Sequence, residues 1–107
     1  MAEIVWTEPA LEDLDRIADY IALDKPDAAS RFVGRVFAHL EKLSRHPQLG
    51  SRIPELLPGS RYRQIVESPC RVFYRHEKTS EKVFILAVMR GEQLFQSDVL
   101  EGRDEPT

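Results

Sequence analysis

Eleven of the fifteen basic side chains in this 107-residue sequence are arginines, and Arg63, Arg71, Arg75 and Arg90 fall in or beside segments with strand-like alternation. A guanidinium presents a planar fork of donors that matches a carboxylate or a phosphate, so such a set could grip an acidic surface or steady a phosphate during its cleavage. The second task also needs a proton acceptor and a proton donor within reach. The supply is thin. His39, His46 and His76 are far apart and, with the single Cys70, give no metal-ligand spacing, so no metal and no cofactor is expected. His39 falls on the exposed side of a helical stretch, His46 at its end, and the strand parity of His76 sets it opposite Arg75. Serine-nucleophile and phosphate-loop patterns are absent. Tyr62 and Tyr74 read as packing residues. These residue types point to recognition by charge, and no catalytic residue is assigned.

Charge is segregated along the chain although the formal net is only -3. Residues 1–27 carry a net of -6, residues 28–90 a net of +7 and the remainder a net of -4. This pattern predicts a basic middle meant for an acidic partner, with acidic ends that oppose strong direct binding to nucleic acid. At 42% apolar and 31% charged the chain reads as one globular domain, expected over residues 1–100, with residues 101–107 as a disordered acidic tail. One cysteine cannot form an internal disulfide, no apolar run is long enough to span a membrane, and the N-terminus lacks the basic start of a signal peptide. A cytoplasmic protein with no membrane partner is expected.

The elements that must position the arginines follow from periodicity. Ile4, Val5 and Trp6 are strand formers, and Thr7 with Pro9 and the acids after it opens a helix whose stripe is Leu11, Leu14, Ile17, Ala18 and Ile21. Asp24-Lys25-Pro26-Asp27 stops it and starts another, with Phe32, Val33, Val36, Phe37, Leu40 and Leu43 inward and an end near His46-Pro47. A connection this short makes the helices an antiparallel hairpin. Pro47 to Gly59 reads as a loop. The period then alternates, predicting strands over Arg61–Val66, Cys70–His76 and Val83–Met89 joined by short polar links, and a short helical turn within Gly91–Leu100. The expected fold is α+β, in the order β-α-α-β-β-β, with an antiparallel sheet packed on the helical hairpin.

Parity then sorts side chains onto faces. Val66, Val72 and Tyr74 are expected under the helices, leaving Arg63, Arg71, Phe73 and Arg75 outside. Since apolar residues fall on both faces and one hairpin covers only one, a groove involving Ile65, Phe73, Phe84 and Leu86 is expected to receive a partner segment. The alternative is that the tail after Gly91 folds back over it.

Taken in order, several segments resemble the ParE/RelE toxin superfamily of bacterial toxin-antitoxin modules. They are Ile4-Val5-Trp6-Thr7 with Ala10, Asp13-Leu14, Tyr20-Ile21, Pro26 with Ala28, Ala29 and Phe32, and His46-Pro47 with Leu49-Gly50. They continue with Arg63, Ile65 and Val66, Pro69, Arg71, Val72 and Tyr74-Arg75, and Ile85-Leu86-Ala87-Val88 with Arg90-Gly91. The resemblance implies a toxin neutralised by a cognate antitoxin. RelE-like members are ribosome-dependent mRNA endonucleases whose last strand ends in an Arg followed four residues later by a Tyr. Those positions correspond here to Gly91 and Phe95, and the loop before the second strand offers only Arg52. The ParE-like branch, inhibitors of DNA gyrase associated with plasmid stabilisation, is therefore favoured over the nuclease alternative. That branch implies gyrase and a ParD-like antitoxin as partners. Arg63, Arg71, Arg75 and Arg90 would be target-binding residues, and Ile65, Phe73, Phe84 and Leu86 antitoxin-binding residues.

Overall fold

Thr7 joins the first strand to the first helix with one hydroxyl. It accepts the Ala10 N–H at 3.4 Å, capping α1 (Glu8–Ala22), and donates to the Ile85 carbonyl at 2.7 Å, tying β1 (Glu3–Trp6) into the sheet. The computed structural model describes residues 1–104. Pro26 opens α2 (Pro26–Glu41), which tightens into a 3-10 turn at Lys42–Ser44 before Pro47. A two-residue edge strand β2 (Ser51–Arg52) lies inside the segment expected to be loop. The meander follows as β3 (Tyr62–Glu67), β4 (Cys70–Glu77) and β5 (Lys82–Arg90), and the described chain ends on α3 (Ser97–Arg103).

The sheet order is β1-β5-β4-β3-β2, with β1 parallel to β5 and the other neighbours antiparallel, so the sheet is mixed. The hairpin of α1 and α2 covers one face. Leu14, Ile17, Phe32, Val36 and Leu40 pack there against Ile65, Val72, Tyr74, Val83, Ile85 and Val88. A second apolar cluster fills the opposite face, made of Ile53, Tyr62, Phe73, Leu86, Ala87 and Leu100 with Phe84 and Phe95 at its margin. Among the described residues no helix is long and apolar enough to cross a membrane.

Three details differ from the expectations drawn from the sequence. Ile65 pairs with Val72 and Arg63 with Tyr74, so Ile65 and Arg63 lie on the helix-covered face, while Val66 is turned the other way and is 56% exposed. Choosing which parity class of β3 faces the helices required the cross-strand register, and a one-residue slip inverts every side chain. The ladder between β4 and β5 is irregular: Phe73 pairs with Ala87, but Tyr74 pairs with Ile85. The extra residue, Leu86, lets Leu86 and Ala87 both join the outer cluster and returns Val88 to the helix side.

The third difference is the tail. Glu101, Gly102 and Arg103, expected to be disordered, belong to α3, and Leu100 is 1% exposed. The acidic count concealed one leucine and two ionic anchors at Arg103 and Asp104. Residues 105–107, the rest of the expected tail, lie outside the described residues.

Candidate functional site

The four expected target-binding arginines do not form one face. Arg71 and Arg75 stand on the outer face, whereas Arg63 and Arg90 lie on the helix side because they pair with Tyr74 and Cys70. Arg63 donates to the Gly50 carbonyl at 2.8 Å. It braces a turn in which the Tyr74 hydroxyl accepts the Gly50 N–H at 2.9 Å and donates to the Pro47 carbonyl at 2.8 Å. Gly50 is required there, since a β-carbon would meet the Tyr74 ring at 2.6 Å and the Gln64 carbonyl at 2.7 Å. Arg90 stacks over the Tyr20 ring, 4.8 Å from its centroid, and pairs with Glu92 at 3.4 Å.

On the outer face the guanidinium of Arg71 forms two parallel hydrogen bonds to Glu55, each 2.9 Å, and a third to Gln64 at 3.2 Å. It stacks between Phe73 and Phe95, with centroids 5.0 and 5.6 Å away. The hydrogen bond from Arg71 holds the Glu55 carboxyl below its ordinary range. Arg75 donates to Asp104 at 2.7 Å and to Glu77 at 3.3 Å, and its guanidinium lies over Phe84. Arg61 and the Tyr62 hydroxyl reach the same Asp104 oxygen, at 3.4 and 3.2 Å. Burial pushes the Tyr62 phenol upward. The side chains of Arg71 and Arg75 are only 15% and 17% exposed, so they clamp the chain's own loop and C-terminus.

The expected antitoxin contacts are also covered. Phe73 and Leu86 are buried under Phe95 and α3, Phe84 is half-buried under Arg75, and Ile65 is inside the helix-sheet core. The backfolded tail, the alternative weighed for this face, is what covers it. No sequence argument singled out the anchor that holds the tail. Asp13, 6% exposed, accepts the Val88 N–H at 3.0 Å, two nitrogens of Arg103 and a bond from Arg16 at 2.7 Å. A signal existed: Ala10, Asp13, Leu14 and Ile17 share the spacing of a buried helix stripe, and an acid in such a stripe needs partners.

The chemistry open to this arrangement is limited. Glu55 is the carboxylate next to Arg71, and a depressed, doubly bonded carboxylate is a poor proton acceptor at neutral pH. Phe95 packs edge-tilted on Phe73, centroids 5.2 Å apart, where it supplies apolar area and no proton. A β-carbon at Gly91 would make only an ordinary contact with the Pro69 carbonyl, so the backbone does not demand glycine there. Burial raises the Cys70 thiol to about 11, which keeps it unreactive. Among the described residues no group of three or more His, Cys, Asp or Glu side chains could hold a metal ion.

The family model for the ParE toxin of the type II toxin-antitoxin system parDE matches residues 4–95. The Sinorhizobium fredii protein Y4kP is 37% identical over 90 residues, covering 84% of this chain and 88% of that one. The toxin RelE2 of Caulobacter vibrioides is 42% identical over 50 residues, 47% of this chain and 57% of its own. Among solved structures, a chain of the chromosomal ParDE toxin-antitoxin system of P. aeruginosa superposes with a TM-score of 0.70 at 25% identity, covering 86% of this chain and 98% of that chain. The isolated E. coli RelE toxin shares the fold, with a TM-score of 0.59 at 14% identity over 95% of both chains. With its mixed five-stranded sheet, its hairpin of helices and a matched segment from β1 to Phe95, this chain belongs to the ParE toxin family of type II toxin-antitoxin systems.

Proposed function

We propose that this toxin acts by binding DNA gyrase and inhibiting it, and that a ParD-like antitoxin neutralises it in the cytoplasm, where such a module would stabilise a plasmid. The observation that carries the choice over mRNA cleavage is Phe95. At the position where the nuclease branch places a proton-transferring tyrosine, this chain has a phenyl ring packed on Phe73 with the Arg71 guanidinium against both. A separate open pocket of about 480 Å³ between the 55–60 loop and α3 is lined by Glu55 and Glu101 and by no cation, the wrong sign for a scissile phosphate.

Of the arginines expected to meet the target, Arg71 and Arg75 are available to gyrase only at the price of their intramolecular partners, while Arg63 and Arg90 face elsewhere. An antitoxin segment that contacts Phe73 and Leu86 must likewise take the place of Phe95 and α3, and one that contacts the half-buried Phe84 meets the Arg75 guanidinium stacked over it. Purified toxin is expected to inhibit supercoiling by gyrase and to leave mRNA on translating ribosomes uncut. Codon-specific cleavage with supercoiling untouched would establish the RelE-like alternative instead.

A further inference from the structure

Most arginines of the sheet and tail are neutralised within the chain: Arg71 by Glu55, Arg75 by Asp104 and Glu77, Arg61 by Asp104, Arg90 by Glu92 and Arg103 by Asp13. Arg31, Lys42 and Arg45 make no ion pair among the described residues, and all three are exposed. They lie on α2 and its 3-10 extension. At about 100° per residue, Arg31, Arg35, Lys42 and Arg45 fall within one sector of about 80°, away from the buried Phe32, Val36 and Leu40; Arg35 is paired with Glu67 at 3.4 Å, and the exposed Asp27 is the one acid of α2 in that sector, at its far end. The row is about 21 Å long at the helical rise. Exposed Gly34 and Ala38 lie between the cations and keep the ridge low. At its end is an open cavity of about 610 Å³ lined by Lys42, Arg45 and His46 with the chain's amino terminus, and Glu41 is the one acid in that lining.

The neighbouring helix has the opposite sign. Glu8, Glu12, Asp15 and Asp19 form an exposed acidic row on α1, so a polyanion can approach the helical layer only along α2. A protein partner would need a central apolar or aromatic anchor. The ridge has none, since Phe37 leans to the other flank against Trp6. We propose that the α2 ridge docks on the sugar-phosphate backbone of duplex DNA, through charge and without reading bases. The choice of duplex DNA rests on the gyrase reading, because that target holds such a duplex. With a net chain charge of -3 the contact is weak alone and counts where gyrase concentrates DNA beside the bound toxin.

The test is fluorescence anisotropy of a labelled 20-base-pair DNA duplex titrated with purified toxin at several KCl concentrations, with a matched RNA duplex in parallel. Three phosphate contacts predict a log-log salt slope of about -2.7, or roughly forty-fold weaker binding at 200 than at 50 mM. The variant Arg31→Glu/Lys42→Glu/Arg45→Glu, exposed at all three positions and checked by thermal melting, should lose binding at least tenfold. Glu12→Gln/Asp19→Asn should bind as well or better. Binding that survives the triple reversal, no binding at 25 mM KCl, or preference for the RNA duplex each overturns the proposal. So does light scattering that reveals a dimer dissolved by the reversal, which would make the ridge a contact with a second copy. Gyrase supercoiling run beside these measurements separates the two readings. A triple variant that loses DNA but inhibits gyrase fully removes the ridge from the mechanism and leaves gyrase as target. Ridge-dependent DNA binding by a toxin that leaves supercoiling unaffected removes gyrase and keeps the surface.

Discussion

Asp13 is a carboxylate in the core of a domain whose surface is rich in acids, and every partner it has comes from a different stretch of chain. Val88 supplies a backbone N–H from β5, Arg103 a guanidinium from α3 and Arg16 a second one from the next turn of α1. Removing a buried charge's partner leaves the remaining groups desolvated and unanswered. Asp13→Ala is therefore expected to cost about 3 to 5 kcal/mol in urea unfolding. Arg103→Ala should cost less, because Asp13 keeps the other two donors. Equal losses would mean that the pair matters only as a pair. Cys70 makes a second residue-scale case. Its thiol is raised from 9.0 to about 11 by burial, so between those values the unfolded chain gives up a proton that the folded chain retains. The Cys70 contribution to stability should be constant below pH 9 and fall as pH rises toward 11, and Cys70→Ala should flatten part of that fall in melts at stepped pH; the raised Tyr62 and Tyr74 phenols account for a remainder. An identical slope in the variant would refute the assignment to Cys70.

At the scale of elements, the C-terminal segment decides how the sheet is used. α3 is short, yet it seats Leu100 at 1% exposure and is held at its end by Arg103 on Asp13 and Asp104 on Arg75. Leu100→Ala should destabilise by about 2 to 5 kcal/mol and raise the exchange rate of the α3 amides most; exchange that rises equally in α1 would contradict a role confined to the lid. This element was the least legible in the sequence. The hairpin of helices could be read from Thr7, Pro9 and Pro26 and the stripes between them, because caps and period are local signals. The three strands of the meander were legible from alternation within about one residue at each end. Which parity class of β3 faces inward was not, since Ile65 and Val66 are equally apolar and only the pairing of Ile65 with Val72 decides. Nor was the side of Val88, because a bulge has no signature in the run Ile85-Leu86-Ala87-Val88. The lid was hidden for a related reason: its anchors are single residues whose partners lie 29 and 90 positions away. Of the arginines that parity grouped on one face, Arg75 is one of these anchors, Arg71 holds Glu55 of the preceding loop, and Arg63 braces the turn at Gly50.

For the whole molecule, the consequence of a covered outer face is that β4 and β5 are buried from both sides while the rest of the sheet is not. Tyr74, Val83, Ile85 and Val88 pack against the helices, and Phe73, Leu86 and Ala87 against the lid. The edges are weaker: β1 is short and β2 has two residues, both exposed. A layer sandwiched between two apolar clusters opens only when both are disrupted, whereas an edge strand or a terminal helix opens alone. Native-state hydrogen exchange should therefore rank β4 and β5 amides slowest, at the free energy of global unfolding, with α3 and β2 opening first. Lid opening must also leave the helix-side core intact, so urea-dependent exchange should show a shallow opening for α3 and a steep, shared one for β4, β5 and the inner faces of α1 and α2. A single steep opening that includes α3 would mean that the two clusters are one cooperative unit, and that no antitoxin or target could reach Phe73 and Leu86 without unfolding the toxin.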